Sequence, residues 1–555
     1  MSWFVGYSLK KMQVLLVCMF VASFIGVNSQ SEPPIVQTST GPVLGSPTVI
    51  NPNLTVLSFK GIPYAEPPVG NLRFEPPVAK SPWNDTLKAT DYGSSCIQED
   101  GSGNEDCLYL NVFTPKLDGN LPVMVWVYGG AFINGDGIND PSYVLEKDVV
   151  FVSFNYRIGI LGFVSTEDLV APGNAGLKDQ VLALKWVQSN IAKFGGDPQK
   201  ITIWGESAGS ASVSYLTQSN LTRGLFQGAI MESGSSLCSW GLTRDARATV
   251  FALGKRLKID TTNSTTLING LKQIGVQGLH NSSSAIYLYT IGTRNPLSGL
   301  PYGPVMEPDH EGAFFSSKSH ELLQNGGFHK VPMIIGYNSE EAVSASAIPD
   351  LLKLLLAKYD FQPSNLVPDD MNIKSGFAKW LVGNIIKFRY FGLDLILSSS
   401  SKLAQFISDD QFNRPITETV RLQSMLTPVY FYVFSYQGVL GTTSNRTMPG
   451  VGHAEELRYL FKGNETNINA SDQRTIQRMT TMWTNFAKFG TPTPEKVSLL
   501  DNVIWKPARS SNMSSDLTYM NIGTNLTLGV NPNDRAIRFY QYLYNIFGNP
   551  PYTSY

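Results

Sequence analysis

The tightest constraint on this chain is the run Gly205-Glu206-Ser207-Ala208-Gly209, set between the apolar stretch Ile201-Thr202-Ile203-Trp204 and the helix-compatible Ser210-Ala211-Ser212-Val213. A strand that becomes a helix across a single serine needs a sharp turn. Glycines on both sides of the serine tolerate unusual backbone angles and leave the space that such a turn demands. The turn would lift the Ser207 hydroxyl above the edge of a sheet, where a serine can act as a nucleophile.

Apolar, β-branched runs alternate with helical patterns along much of the sequence. Pro122 to Tyr128, Val149 to Tyr156, Ile201 to Trp204, Phe226 to Met231, Val331 to Gly336 and Val429 to Phe434 read as buried strands. Leu177 to Ala192 and Asp472 to Phe489 repeat apolar residues at helical spacing and stop before Gly195-Gly196 and before Gly490. Strand, helix and strand in succession imply an α/β fold with a large, mostly parallel central sheet and helices on both faces. Residues 240 to 330 and 345 to 425 break the rhythm and are expected as helical and irregular excursions over the sheet's carboxyl edge. No linker, repeat or low-complexity tract divides the chain, so one domain is expected.

At 555 residues and 42% hydrophobic the chain can bury a large core, and its formal net charge of −1 provides no long-range field to hold a polyanion. Nucleic acid is therefore not an expected partner. Lys10-Lys11, the apolar stretch Val14 to Val27 and then Asn28-Ser29-Gln30 follow the order of a secretory signal, which assigns residues 1–29 to a signal peptide and 30–555 to the mature domain. That stretch is shorter than the roughly 20 residues that span a bilayer. No stable membrane anchor is expected, and the product should be secreted and extracellular.

Asn-x-Ser/Thr glycan acceptors begin at Asn53, Asn84, Asn220, Asn263, Asn281, Asn445, Asn464, Asn469, Asn512 and Asn525, which suits a secretory surface. Once Cys18 leaves with the signal, Cys96, Cys107 and Cys238 remain. An odd count in an oxidising compartment points to one bridge, expected between Cys96 and Cys107, with Cys238 expected as a buried free thiol in preference to an intermolecular disulfide.

A serine nucleophile needs a base within hydrogen-bond reach and an acid to orient that base. Of His280, His310, His320, His329 and His453, the last stands out: it lies in the glycine-flanked Gly450-Val451-Gly452-His453-Ala454-Glu455, downstream of the strand Val429 to Phe434. The other four are expected to be solvated or capping residues. For the acid, Val331 to Ile335 leads through Gly336 into Tyr337-Asn338-Ser339-Glu340-Glu341, and either glutamate could serve on this argument. Tyr128-Gly129-Gly130-Ala131-Phe132 follows another strand and offers free amides for an oxyanion, with Gly130, Ala131 and Ala208 as the candidate donors.

These segments resemble the type B carboxylesterase family, which includes the cholinesterases. Phe194-Gly195-Gly196-Asp197-Pro198 through Gly209 is similar to the family's nucleophile signature, and Glu105-Asp106-Cys107-Leu108-Tyr109-Leu110-Asn111 to its second signature. The resemblance runs from about residue 33 to 546. It implies an α/β-hydrolase fold acting on small-molecule carboxylic esters, with Ser207 as nucleophile, Glu341 rather than Glu340 as the acid and His453 as base. It also implies the Cys96 to Cys107 bridge, supporting roles for Glu206 and Ser233, an acyl-pocket position for Trp240, and no metal or cofactor.

Departures from the family pattern narrow the substrate. The usual three-glycine loop reads Gly129-Gly130-Ala131 here, and only Ile97 to Asp106 separates the first two cysteines, with no aromatic residue to hold a quaternary ammonium. Acetylcholine is therefore not expected. Insect juvenile hormone esterases typically carry glutamine before the nucleophile, where this chain has Glu206. The remaining resemblance is to an insect-type secreted esterase of neutral, apolar esters. A non-catalytic adhesion ectodomain of the same fold is the alternative, as is an esterase that sequesters its ester by slow turnover. Oligomeric state is left open.

Overall fold

The computed structural model describes residues 34–343, 356–441, 448–465, 468–509, 511–512 and 515–555. Eleven strands build the main sheet: β1 Ser46–Asn51, β2 Leu54–Pro63, β3 Tyr109–Thr114, β4 Leu121–Val127, β5 Val150–Phe154, β6 Gly196–Glu206, β7 Gly228–Glu232, β8 Met333–Asn338, β9 Val429–Phe434, β10 Thr518–Ile522 and β11 Leu526–Val530. Their order across the sheet is β11-β10-β9-β8-β7-β6-β4-β5-β3-β2-β1. The strands from β5 through β4 and β6 to β10 pair parallel, while the flanks are antiparallel.

Every residue of β5, β7, β8 and β9 is buried. Central parallel strands are covered on both sides, so they read as continuous apolar runs rather than alternating ones. That property made them visible in sequence. β6 is longer than expected, because Gly196, read as the stop of the preceding helix, already pairs with Leu121 of β4. The two helices expected from spacing are present as Ala175–Asn190 and Ala470–Phe489.

The chain order reverses between β4 and β6: β5 returns to the far side of β4, while β6 and β7 continue outward. In open parallel sheets such a switch point leaves a crevice outside the strands' carboxyl ends. The glycine loop leaves β4 there and the Ser207 turn leaves β6 beside it. Trp204 anchors this end of β6, fully buried and with its ring centroid 4.6 Å from Trp126 and 5.3 Å from Phe461.

The described parts of the excursions are helical and irregular, as expected, the helices including Ala246–Arg256, Ser264–Lys272, Val276–Thr293 and Gly376–Phe391. Tyr540 and Tyr544 of the C-terminal helix Asp534–Phe547 pack at 4.9 and 5.6 Å over the buried guanidinium of Arg414, so this aromatic segment mainly covers its own core. Cys96 and Cys107 are bonded, and Cys238 is buried and free. Burial pushes the Cys238 thiol up to about 12, which keeps it protonated and inert. Nine of the ten glycan acceptors lie among the described residues and all nine are exposed; Asn445 and the segment 1–29 lie outside them. No described helix is long and apolar enough to cross a membrane.

Candidate active site

Ser207 begins the helix Ala208–Gln218 with φ 57° and ψ −123°, and its amide donates to the Glu232 carbonyl at 2.9 Å. The flanking glycines are the residues expected from sequence to take the unusual backbone angles. Those angles fall instead on the serine itself, a strain of the kind stored at functional sites. The glycines serve close approach: a Cβ on Gly209 would lie 2.0 Å from the Val127 carbonyl oxygen, and one on Gly205 2.5 Å from the same atom.

The structure brings together three residues that are far apart in sequence. His453 Nε2 lies 2.8 Å from Ser207 Oγ, across 246 residues, and His453 Nδ1 lies 2.7 Å from Glu341 Oε2. The other Glu341 oxygen accepts the Asn338 amide at 2.7 Å, so the carboxylate is fixed at both ends. Glu340 points elsewhere. Burial, then the neighbouring charge of Asp409, pushes its carboxyl up to about 7.

The loop that carries His453 is tied to β8 and its extension by four bonds. His453 N donates to the Glu341 carbonyl at 2.9 Å, Glu340 N to the Val451 carbonyl at 3.0 Å, Val451 N to Ser339 Oγ at 3.0 Å, and Asn338 Nδ2 to the Gly452 carbonyl at 2.8 Å. The remaining histidines are elsewhere. His310 meets Glu307 at 3.0 Å, His329 the Ser219 carbonyl at 3.0 Å, and His280 lines a separate cavity. His320 departs from the expectation of a solvated residue: it is buried and stacked on Tyr555.

Gly130, Ala131 and Phe132 all adopt positive φ, at 107°, 53° and 59°. The tight turn is closed by Ile133 N and Asn134 N, both donating to the Gly130 carbonyl at 3.0 Å. Among the described residues the amides of Gly130 and Ala131 find no hydrogen-bond partner, and Ala208 N heads a helix, where first-turn amides have no intrahelical partner. A Cβ on Gly129 would stand 3.0 Å from Ser207 Cβ, which places this loop directly against the serine.

Behind the imidazole lies a group of buried carboxyls that sequence reading largely missed. Glu206 Oε1 is 3.1 Å from His453 Nε2. Glu232 accepts from Trp483 Nε1 at 2.8 Å, and Glu456 accepts from Asn338 Nδ2 and, at 3.4 Å, from Ser233 Oγ. Burial is the main reason that Glu206 is raised to about 7 and Glu232 to about 8, and that Glu456 is raised well above the usual carboxylate range. For His453, burial favours the neutral ring, but Glu206, then Glu341 and Glu456, outweigh it and raise the imidazole to about 10. So many carboxylates in one desolvated space cannot all be ionised at once. Protons held within this group reduce the pull on His453 and favour the neutral ring that a base must be.

Trp240 donates its indole N–H to the Gln411 carbonyl at 3.0 Å and stands 5.6 Å from the Phe412 ring, which is itself 4.9 Å from the His453 ring. Phe412 was not anticipated. It projects from the π-helical segment Ser408–Asn413, a backbone irregularity that no periodicity in the sequence marks.

The sequence model of the carboxylesterase family matches residues 32–540. The chain belongs to the carboxylesterase family. Among its relatives, the juvenile hormone esterase of Tribolium castaneum is 35% identical over 503 residues, covering 83% of this chain and 84% of that one. Venom carboxylesterase-6 of Apis mellifera is 32% identical over 561 residues, 95% of this chain and 97% of that one. Among solved structures, the crystal structure of juvenile hormone esterase from Manduca sexta, with OTFP covalently attached, superposes with a TM-score of 0.81 at 27% identity, covering 93% of this chain and all of that one (100%). This carboxylesterase accordingly has the α/β-hydrolase fold and is a carboxylic ester hydrolase.

Proposed function

We propose that this carboxylesterase is a secreted enzyme that hydrolyses neutral, apolar carboxylic esters through an acyl-enzyme on Ser207. The observation that carries the reading is the unbroken chain of hydrogen bonds from Ser207 Oγ through His453 to Glu341. Ser207 Oγ attacks the ester carbonyl carbon and its proton passes to His453 Nε2. Glu341 holds the ring in the tautomer with the proton on Nδ1 and stabilises the imidazolium. The amides of Gly130, Ala131 and Ala208 take the charge that develops on the carbonyl oxygen. Collapse breaks the bond to the alcohol, which leaves with the proton from His453. Water then repeats the sequence on the acyl-enzyme and regenerates the serine.

Every step is carried by side chains and amides of this chain, so the reaction requires no metal or cofactor. Glu206 and Ser233 support the histidine, and Trp240 bounds the acyl side. Residues 1–29 act as a signal peptide and 30–555 as one catalytic domain, released outside the cell with glycans on its exposed acceptors.

The test is a comparison of the purified protein with Ser207→Ala on a chromogenic short-chain ester, together with labelling by an organophosphate. Hydrolysis and a single covalent adduct on Ser207 are expected of the native protein, and neither of the variant. Hydrolysis that survives the substitution overturns the reading.

A further inference from the structure

The glycine loop that offers Gly130 and Ala131 to an oxyanion begins where β4 ends, and the carbonyl ahead of it belongs to Tyr128. Tyr156, just beyond β5, reaches this carbonyl. Its hydroxyl donates to the Tyr128 oxygen at 2.8 Å; in return the Tyr128 hydroxyl donates to the Tyr156 carbonyl at 2.6 Å and accepts from Tyr156 N at 3.2 Å. The rings are buried and stacked, with centroids 4.2 Å apart. Burial raises both hydroxyls above the ordinary phenol range, so each keeps its proton and stays a donor.

Tyr156 acts at a seam. A Cβ on Gly209 would lie 2.7 Å from the Tyr128 oxygen, so this carbonyl stands between the loop of Gly130 and Ala131 and the helix start that presents Ala208. Further along, Gly159 N donates to the Phe132 carbonyl at 2.6 Å, Gly135 N to Gln98 Oε1 at 2.7 Å and Gly137 N to Asn155 Oδ1 at 2.8 Å. Those bonds hold the loop after the two donors. Ahead of the donors, among the described residues, the side chain that bonds this backbone is Tyr156. Glycine backbone turns at little cost, so the orientation of Gly129 and Gly130 depends on what holds the carbonyl before them.

Resting on the reading of Ser207 as nucleophile and of Gly130, Ala131 and Ala208 as oxyanion donors, we propose that Tyr156 is a positioning residue for ester hydrolysis. Its hydroxyl holds the Tyr128 carbonyl so that the amides of Gly130 and Ala131 are aimed at the place where charge develops on the ester oxygen. Tyr156 touches no substrate and acts through the loop. The bond exists before the reaction begins, so aiming the amides costs no reorganisation during it. An interaction that matters only as the oxyanion forms affects kcat and leaves KM nearly alone.

Tyr156→Phe keeps the ring and deletes the hydroxyl. On a short-chain ester kcat should fall about 10- to 100-fold with KM within about threefold of native. A trifluoromethyl ketone reports on the oxyanion donors directly: Ser207 Oγ bonds its carbonyl carbon, the C=O electron pair moves to oxygen, and the serine proton passes to His453, leaving an anion beside the amides of Gly130, Ala131 and Ala208. The matching trifluoromethyl carbinol has no carbonyl and forms no adduct. Inhibition by the ketone should weaken at least about tenfold in the variant, and inhibition by the carbinol should stay within about twofold. Tyr156→p-aminophenylalanine puts a weaker N–H donor in the same place and should give intermediate values; it carries the test alone if Tyr156→Phe does not fold, and a ketone affinity equal to native would then overturn the proposal. So would a folded Tyr156→Phe with native kcat, or with ketone and carbinol weakened alike, in each case leaving ester hydrolysis intact. Hydrolysis surviving Ser207→Ala, or a native enzyme that binds the ketone no tighter than the carbinol, would instead remove the reading on which the proposal rests.

Discussion

The Ser207 turn and the His453 loop meet at 2.8 Å, yet they are built in opposite ways. The turn is local: five consecutive residues that close a strand and open a helix around Ser207, with Gly205 and Gly209 pressed against the Val127 carbonyl. The loop has little local order of its own and is held by bonds to Asn338, Ser339, Glu340 and Glu341, more than a hundred residues earlier in the chain. A serine is presented by steric necessity, and a histidine is delivered by long-range hydrogen bonding. Damage to the first should therefore cost structure, and damage to the second should cost alignment.

The largest effect bears on the point where the two regions meet. Ser207→Ala should lower kcat by at least about 10⁴-fold, and adding His453→Ala should cost little more, because residues that act as a unit are strongly non-additive; steady-state kinetics of the singles and the double decide it. Within the turn, Gly209→Ala forces a methyl to 2.0 Å from backbone that cannot retreat, and denaturant unfolding should show a loss of about 3 kcal/mol or more. An intact fold with Gly209→Ala would break the distinction drawn here.

Within the loop, Asn338→Ala removes the bonds to Gly452 and Glu456 but leaves the backbone free to settle, so circular dichroism should be native-like while kcat falls about 10- to 100-fold. Glu206 heads the charges that raise His453. Glu206→Gln should therefore lower the imidazole, and since the base must be neutral, the acid limb of the kcat/KM profile should move to lower pH by about one unit. A limb that stays in place would show that Glu206 is already protonated over that range.

The smallest effect concerns Glu232, whose carboxyl is raised by burial to about 8. Between the usual carboxylate value and 8 the folded chain binds a proton that the unfolded chain has lost, so stability falls as pH rises through that window. Glu232→Gln should flatten the fall, gaining on the order of 1 kcal/mol relative to the native protein at pH 9 compared with pH 5, as measured by denaturant unfolding at both pH values.

The same contrast explains what could be read from sequence. The Ser207 turn, the buried strands β7, β8 and β9 and the helix Ala470–Phe489 announce themselves through neighbouring residues and through period. His453 was found by elimination among five histidines and by its glycines, but the choice between Glu340 and Glu341 needed a family resemblance, since both follow the same strand and only the turn after Asn338 aims one of them at the imidazole. Glu232 and Glu456 gave no signal, because a glutamate at the end of a strand or after a histidine looks like any solvated carboxylate until burial is known. Phe412 was invisible for a different reason: the π-helical turn shifts its direction away from any face that helical spacing would assign.

Glu206 of β6 pairs with Glu232 of β7, Glu232 with Gly336 of β8, and Gly336 with Tyr432 of β9, one continuous row across four strands. Ser207, Glu206, Glu232 and the anchor of the histidine loop at Asn338 all lie in or within a few residues of that row. Turnover of an ester is thus a gauge of strand alignment: a chain threaded one residue out of step would be compact and fully bonded, and would do nothing.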